Sequence, residues 1–529
     1  MNLPIIRRLN QDRILLPLLL LLALLFRLPH LNFLLPYFEY GDERDVVEAA
    51  LRILKSGDPN PHFFWYGSFP IYWTTLLYGL VLGVRCWVSG GINTIGECIN
   101  NFGVYDQGFL LFYLGRITSI GFGLATIYLT CLLGRKLFSR QTGYLAALFL
   151  AISPFHIFFS QVFKVDMSLL FWILLTVHFS LNIYERGGLK DFIWAGVCGG
   201  LALSTKYNFF AFLPILLAVG LKTGGRGWFS GKFLFCGYIA AVVFLITCPY
   251  SVLDFDTFRN QLGVQMGLNQ QHLIQFRTDP SSFLYRRFFY QIFILFPFFF
   301  GPLICLAASL GLVRFLRKDW RKSLIFISFP VIYFVFSGSV SQLAMPQYQL
   351  PYLPFVVILG VEAMRFFLAG SNRSRWAGGL LLGLSLLFFL SDLWVPHFQG
   401  QFQVYRKAGG WINQEIPKDK KVATYFGVYS STRHFGFQNE LIVRRATDFS
   451  LAGLEKYDPD FLVTTESSIF QEERFKKSFQ GYREVMQAIS REEKYRLVRS
   501  FRPEGDWESW AGIVYPEIKG FRISIYKKE

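Results

Sequence analysis

The chain contains no Cys-x-x-Cys pair and no Cys/His spacing of the kind that holds zinc, which excludes a zinc motif as its organising feature. Of its seven cysteines, Cys131, Cys198, Cys236 and Cys305 lie in apolar runs and read as small core- or lipid-facing residues. Only Cys86 and Cys98 share a segment expected outside the membrane, where a disulfide can persist. No small-residue cleavage site follows the first apolar run, so that run is expected to stay as a signal-anchor. Charged residues are only 17% of the 529, and no internal repeat is evident.

Apolar surface takes the place of what is missing. Hydrophobic residues make up 53% of the chain, 59 residues are Phe, and the mean hydropathy is +0.35. A soluble core cannot hide that much apolar surface; long apolar runs crossing a bilayer can. The net charge of +17 is not a nucleic-acid footprint, because the basic residues punctuate the apolar runs in the positive-inside pattern. The sequence thus predicts a polytopic α-helical membrane protein in the plasma (inner) membrane, multi-pass, with its N-terminus cytoplasmic.

Arg7, Arg8 and Arg13 hold the start of a first span, 13–35, on the cytoplasmic side. Residues 70–90 are apolar but contain Arg85. If they crossed, every later basic cluster would fall outside. If they lie along the interface, Arg135/Lys136/Arg140, Arg186/Lys190, Lys222/Arg226/Lys232, Arg314/Arg317/Lys318/Arg321/Lys322 and Arg373/Arg375 all fall inside together. This predicts a long outer loop, 36–108, carrying surface-lying helices. Further spans are expected at 109–134, 142–160, 167–184, 191–205, 207–221, 233–249, 289–313, 323–337, 350–368 and 377–394, about 11 crossings with a window of roughly 20 residues.

From 395 the composition changes. VATYF, ELIVRRA, FLVTTE, YRLVRSF and FRISIYKK read as strands, and YRKAGGWINQEI and the stretch around 470–490 as helices. The expected division is a transmembrane catalytic domain, 1–394, and a small extracytoplasmic α/β soluble domain, 395–529.

Asp42, Glu43, Arg44 and Asp45 form the sharpest polar cluster, just outside the first span, after Gly41. Ionised groups at a membrane boundary are expensive unless hydrated, paired or used. Asp42 suits either a helix N-cap or a general base. A metal site is the other option: carboxylates alone suit Mg or Mn, though this spacing assigns no ligand. Outer-face cations fit an anionic ligand: Arg44, Lys164, Lys206, Arg286 and Arg287, with Tyr348 nearby in the MPQYQLPYLP segment. Tyr72, Asp254 and His272 are candidates for contact with an acceptor.

Together these residues resemble the GT-C superfamily of lipid-carrier-dependent glycosyltransferases. The similarity is to the branch of protein O-mannosyltransferases and the aminoarabinose transferase of lipid A, glycosyltransferase family 39-like. It is carried, over about residues 1–365, by Asp42-Glu43 after the first span, Ala49-Ala50-Leu51, Gly57-Asp58, Pro70-x-Tyr72-Trp73 and Gly134-Arg135-Lys136-Leu137-Phe138. Ser153-Pro154 leading to Asp166, Thr205-Lys206-Tyr207 and Tyr348-x-x-Pro351-x-x-Pro354 complete it. Gln347 stands where the family often has Arg.

The resemblance implies a polyprenyl-phosphate sugar donor, transfer with inversion, Asp42 at the catalytic acidic position, Glu43 beside it and Asp166 as a second acidic position. Expected partners are the lipid-linked donor, the bilayer and an acceptor that is protein, lipid or glycan. The competing class is a transporter or flippase of a lipid-linked or anionic substrate. It is disfavoured because transporters place charged sites near the midplane and carry paired repeats.

Overall fold

The computed structural model describes residues 3–32, 35, 43–89, 95–102, 106–263, 288–340, 346–390, 395–425, 439–443, 450–466, 480–491, 495–502 and 522–529. The chain divides into two compact units near residue 391.

The first unit is helical. It opens with α1 (Leu3–Arg27), then α2 (Glu43–Ser56), α3 (Phe69–Val88), α4 (Ile95–Asn100) and the long α5 (Asp106–Leu137). There follow α6 (Arg140–Ile152), α7 (Pro154–Gln161), α8 (Val165–Glu185), α9 (Leu189–Lys206), α10 (Leu213–Thr223) and α11 (Gly231–Thr247). Among the described residues, the later helices include Gln291–Phe300, Pro302–Lys318, Trp320–Val340, Leu353–Leu368 and Asn372–Leu390.

Among the described residues, five helices are long and apolar enough to cross a membrane: Phe69–Val88, Phe109–Leu137, Val165–Glu185, Trp320–Ser337 and Leu350–Leu368. Counting two bent pairs as spans raises this to seven, and Ile14–Arg27, Phe209–Thr223 and Gly231–Thr247 are shorter apolar helices. Two expected spans are therefore not straight rods. The 142–160 run breaks by 61° between α6 and α7, where Pro154 cannot donate an N–H. The 289–313 run turns by 111° between Gln291–Phe300 and Pro302–Lys318. Gly301 sits there at φ +86°, a conformation glycine adopts freely. The 191–221 stretch is two helices, because α9 ends at Tyr207 in a left-handed conformation, φ 45°.

Helix α8 packs against α9 and α10, and α9 in turn packs on α11. The ammonium groups of Lys136 and Lys322 both reach Glu185 at the C-terminal end of α8, at 2.7 and 2.8 Å. Lys222 donates to the carbonyls of Ile183 and Tyr184 in the same turn (3.1 and 3.0 Å). Cations there complement the negative end of the helix dipole. Cys86 and Cys98 form a disulfide that ties α3 to α4.

The second unit holds a five-stranded sheet, β1 (Lys421–Tyr425), β2 (Asn439–Val443), β3 (Phe461–Glu466), β4 (Tyr495–Phe501) and β5 (Arg522–Lys528), in the order β2-β1-β3-β5-β4. The first three strands are parallel, and β5 runs antiparallel to both β3 and β4. Its core gathers Ala423, Leu454, Leu462, Val485 and Tyr495, and helix Val395–Glu415 packs on β4 and β5.

Candidate active site

Helix α2 starts at Glu43, and its first turn is acidic, as a helix N-terminus favours. Its three described charges separate at once: Glu43 and Arg44 are buried, while Asp45 is exposed. Arg116, from the middle of α5, meets Glu43 as a fork: Nε donates to Oε1 at 2.9 Å and Nη2 to Oε2 at 2.8 Å, with both side chains fully buried. Nη1 donates to the Leu31 carbonyl at 2.8 Å. Glu43 Oε1 accepts a further bond from the Phe163 N–H, at 2.6 Å. Glu43 thus links the start of α2, the middle of α5 and the segment entering α8, and its oxygens are occupied. That arrangement fits positioning rather than contact with reacting atoms. Arg44 points to Glu48, Nε to Oε1 2.6 Å, one turn along its own helix.

Three residues after Phe163, Asp166 lies in the first turn of α8, with its side chain 2% exposed. The Lys206 ammonium, at the last residue of α9, donates to Asp166 Oδ1 at 2.5 Å. The same ammonium sits 5.0 Å from the centre of the Tyr348 ring, in cation–π range. Asp166 Oδ2 is buried and, among the described residues, has no hydrogen-bond partner. Lys164 is buried immediately before α8, in an extended conformation. Asp166, Lys206 and Tyr348, read separately from the sequence, therefore converge.

The segment between α2 and α3 crosses the ends of α9 and α11. The Tyr207 hydroxyl donates to the Tyr66 carbonyl (2.8 Å), and the Ser68 N–H to Cys248 Sγ (3.1 Å). A Cβ on Gly67 would fall 1.8 Å from the Ser204 carbonyl oxygen, so only glycine permits this contact. Tyr72 donates its hydroxyl to the Pro59 carbonyl at 3.0 Å. Asp254 belongs to another group, accepting from Asn60 Nδ2 at 2.8 Å with His62 Nδ1 at 3.8 Å. His62 Nε2 also meets Asp58 Oδ2, at 3.0 Å. Both carboxyls are held below the usual carboxylate range, Asp254 chiefly by the Asn60 side chain and Asp58 chiefly by the Asn60 N–H, with His62 adding to each.

Asp42, His272, Arg286 and Arg287 lie outside the described residues. Arg116, Asn60 and His62 were not picked from the sequence. Arg116 had a readable signal, a single cation within an apolar span. Among the described residues no three His, Cys, Asp or Glu side chains converge as a metal site. At Asp166 an ammonium already supplies the positive charge.

Residues 112–252, which hold Arg116, Asp166 and Lys206, match the family model described as dolichyl-phosphate-mannose-protein mannosyltransferase. The chain is 26% identical over 164 residues to dolichyl-phosphooligosaccharide-protein glycotransferase 2 of Pyrococcus furiosus. That alignment takes in 30% of this chain and 22% of the relative, so the match spans about a fifth of the relative's length.

In three dimensions the chain is similar to ArnT of Cupriavidus metallidurans, solved bound to undecaprenyl phosphate (14% identity, 96% of this chain, 97% of that chain, TM-score 0.51). It is also similar to the oligosaccharyltransferase AglB of Archaeoglobus fulgidus, solved with an inhibitory peptide and a dolichol-phosphate (11% identity, 94% of this chain, 80% of that chain, TM-score 0.52). The chain shares its fold with these two proteins, and its apolar helices fit a polytopic membrane protein.

Proposed function

We propose that this protein transfers a sugar from a polyprenyl-phosphate carrier to an acceptor at the extracytoplasmic face, with inversion at the anomeric carbon. The observation that carries the reading is the meeting of Asp166, Lys206 and Tyr348, linked through Phe163 to Glu43, the residue next to Asp42. Two relatives of the same fold were solved with a polyprenyl or dolichol phosphate, which supports a lipid-phosphate donor here. The Cys86–Cys98 disulfide supports an oxidising compartment for the loop that contains it. With positive-inside charge, it supports a cytoplasmic N-terminus and an extracytoplasmic C-terminal unit.

In this mechanism Asp42 takes the proton from an acceptor hydroxyl or amine. The freed electron pair attacks the anomeric carbon from the face opposite the phosphate. The bond from carbon to phosphate oxygen breaks, and polyprenyl phosphate leaves with that pair. Lys206 stabilises the charge as it develops, and Asp166 holds Lys206 in place. Arg286 and Arg287 are assigned to the same phosphate, and His272 to the acceptor. A general base contributes about 10²–10⁴ in rate.

The test is incubation of purified protein with radiolabelled polyprenyl-phosphate sugars. Asp42→Asn should insert normally and lose transfer by about 10²-fold or more. Full transfer by that variant removes Asp42 from the mechanism. Vectorial movement of the lipid without sugar transfer by the wild type removes the enzyme reading altogether.

A further inference from the structure

The least expected charge in the first unit is Arg27. It closes α1 and is completely buried. Among the described residues it faces no carboxylate; its acceptors are carbonyls and one imidazole. Nη1 donates to the Ala23 carbonyl (2.7 Å) and the Ala151 carbonyl (3.1 Å), and Nη2 to the Leu150 carbonyl (3.3 Å) and His156 Nδ1 (2.8 Å).

The geometry explains the choice of residue. In an unbroken helix the Leu150 carbonyl would accept from the N–H four residues on, but that residue is Pro154, which has none. Arg27 stands in for the missing donor at the 61° break between α6 and α7. The C-terminal carbonyls of two helices, α1 and α6, converge on the guanidinium, and their dipoles offset its charge without a counter-ion. Because Nδ1 accepts from Arg27, His156 carries its proton on Nε2 and donates to Thr126 Oγ1 (2.8 Å). Thr126 in turn donates to the Gly123 carbonyl (2.7 Å). The other end of α7 is tied to the same place: Gln161 Nε2 donates to the Arg27 carbonyl (3.0 Å) and the Phe26 carbonyl (3.4 Å). Both ends of this eight-residue helix are thus strapped to one turn of α1.

We propose that Arg27 is a positioning residue: with Gln161 it fixes the exit of α7, so that Phe163 reaches Glu43 and Asp166 reaches Lys206. The inference rests on the reading of Asp166 as part of the active site only for its catalytic consequence; the strap itself is independent of any substrate.

The experiment is hydrogen–deuterium exchange of the full chain in nanodiscs, read over 161–165, where the Phe163 N–H reports the contact with Glu43. In Arg27→Lys, a point charge replaces a planar fork and cannot serve all four acceptors. Exchange over 161–165 should rise roughly tenfold, while α5 and the body of α8 keep their protection. Gln161→Leu should do the same and decides the matter if Arg27→Lys fails to fold.

In the transfer assay Arg27→Lys should lower kcat roughly tenfold and leave the donor KM within about twofold. Unchanged exchange over 161–165 in both variants, loosening spread evenly along the chain, or an unchanged kcat per folded molecule overturns the proposal. If the wild type transfers no sugar, the enzyme reading fails, and exchange alone decides the strap.

Discussion

At the scale of single residues, Glu43 and Arg116 show how much chemistry can hide in an apolar chain. Both are fully buried, 73 positions apart, and each satisfies the other. Removing one partner of such a pair leaves a desolvated charge and typically costs about 3–5 kcal/mol. Arg116→Leu should therefore unfold at markedly lower denaturant or temperature than Asp45→Asn, an exposed control in the same turn of α2 as Glu43. Pairing Arg116→Leu with Glu43→Leu should recover part of the loss, measured by unfolding in detergent. No recovery would show that the three-way link through Phe163 and Leu31 matters more than the charge pair. The sequence made Glu43 visible because it stood among other acids at a span boundary. It could not distinguish a carboxylate that touches substrate from one already consumed by an arginine on a distant helix.

At the scale of elements, hydropathy located the apolar helices but not their shape. The 142–160 and 289–313 runs were read as single spans, yet they turn by 61° and 111° at Pro154 and at Gly301-Pro302, by amounts that depend on what the freed backbone groups find to bond. The strands were easier to read: each of the five segments with strand character lies on a strand of the sheet. Their alternating β-branched and aromatic residues are a local signal, unlike the pairing of Asp166 with Lys206, 40 positions away. The contact of the α2–α3 segment with α9 was also illegible, because it rests on glycine's missing side chain. Gly67→Ala should push that segment off the Ser204 carbonyl. Limited proteolysis between α2 and α3 should then accelerate, while α9 and α11 stay protected; equal cleavage rates would mean that the backbone shifts to absorb the methyl group.

At the scale of the whole molecule, sequence alone gave a polytopic chain of GT-C type, and the fold agrees. Asp166, Lys206 and Tyr348 were read one by one, and that they meet was not legible, since distances between helices are set by packing that no local pattern encodes. The bond between Cys86 and Cys98 carries a consequence beyond its hold on α3 and α4. A chain still on the reducing side of the membrane has two thiols at these positions; a chain whose loop has been translocated has none. The linkage is a date stamp written once per copy. Alkylating unreduced cells with a bulky maleimide and resolving the protein on a gel should count finished molecules against newborn ones. A mature pool in which both sulfurs still react would place that loop in the cytosol.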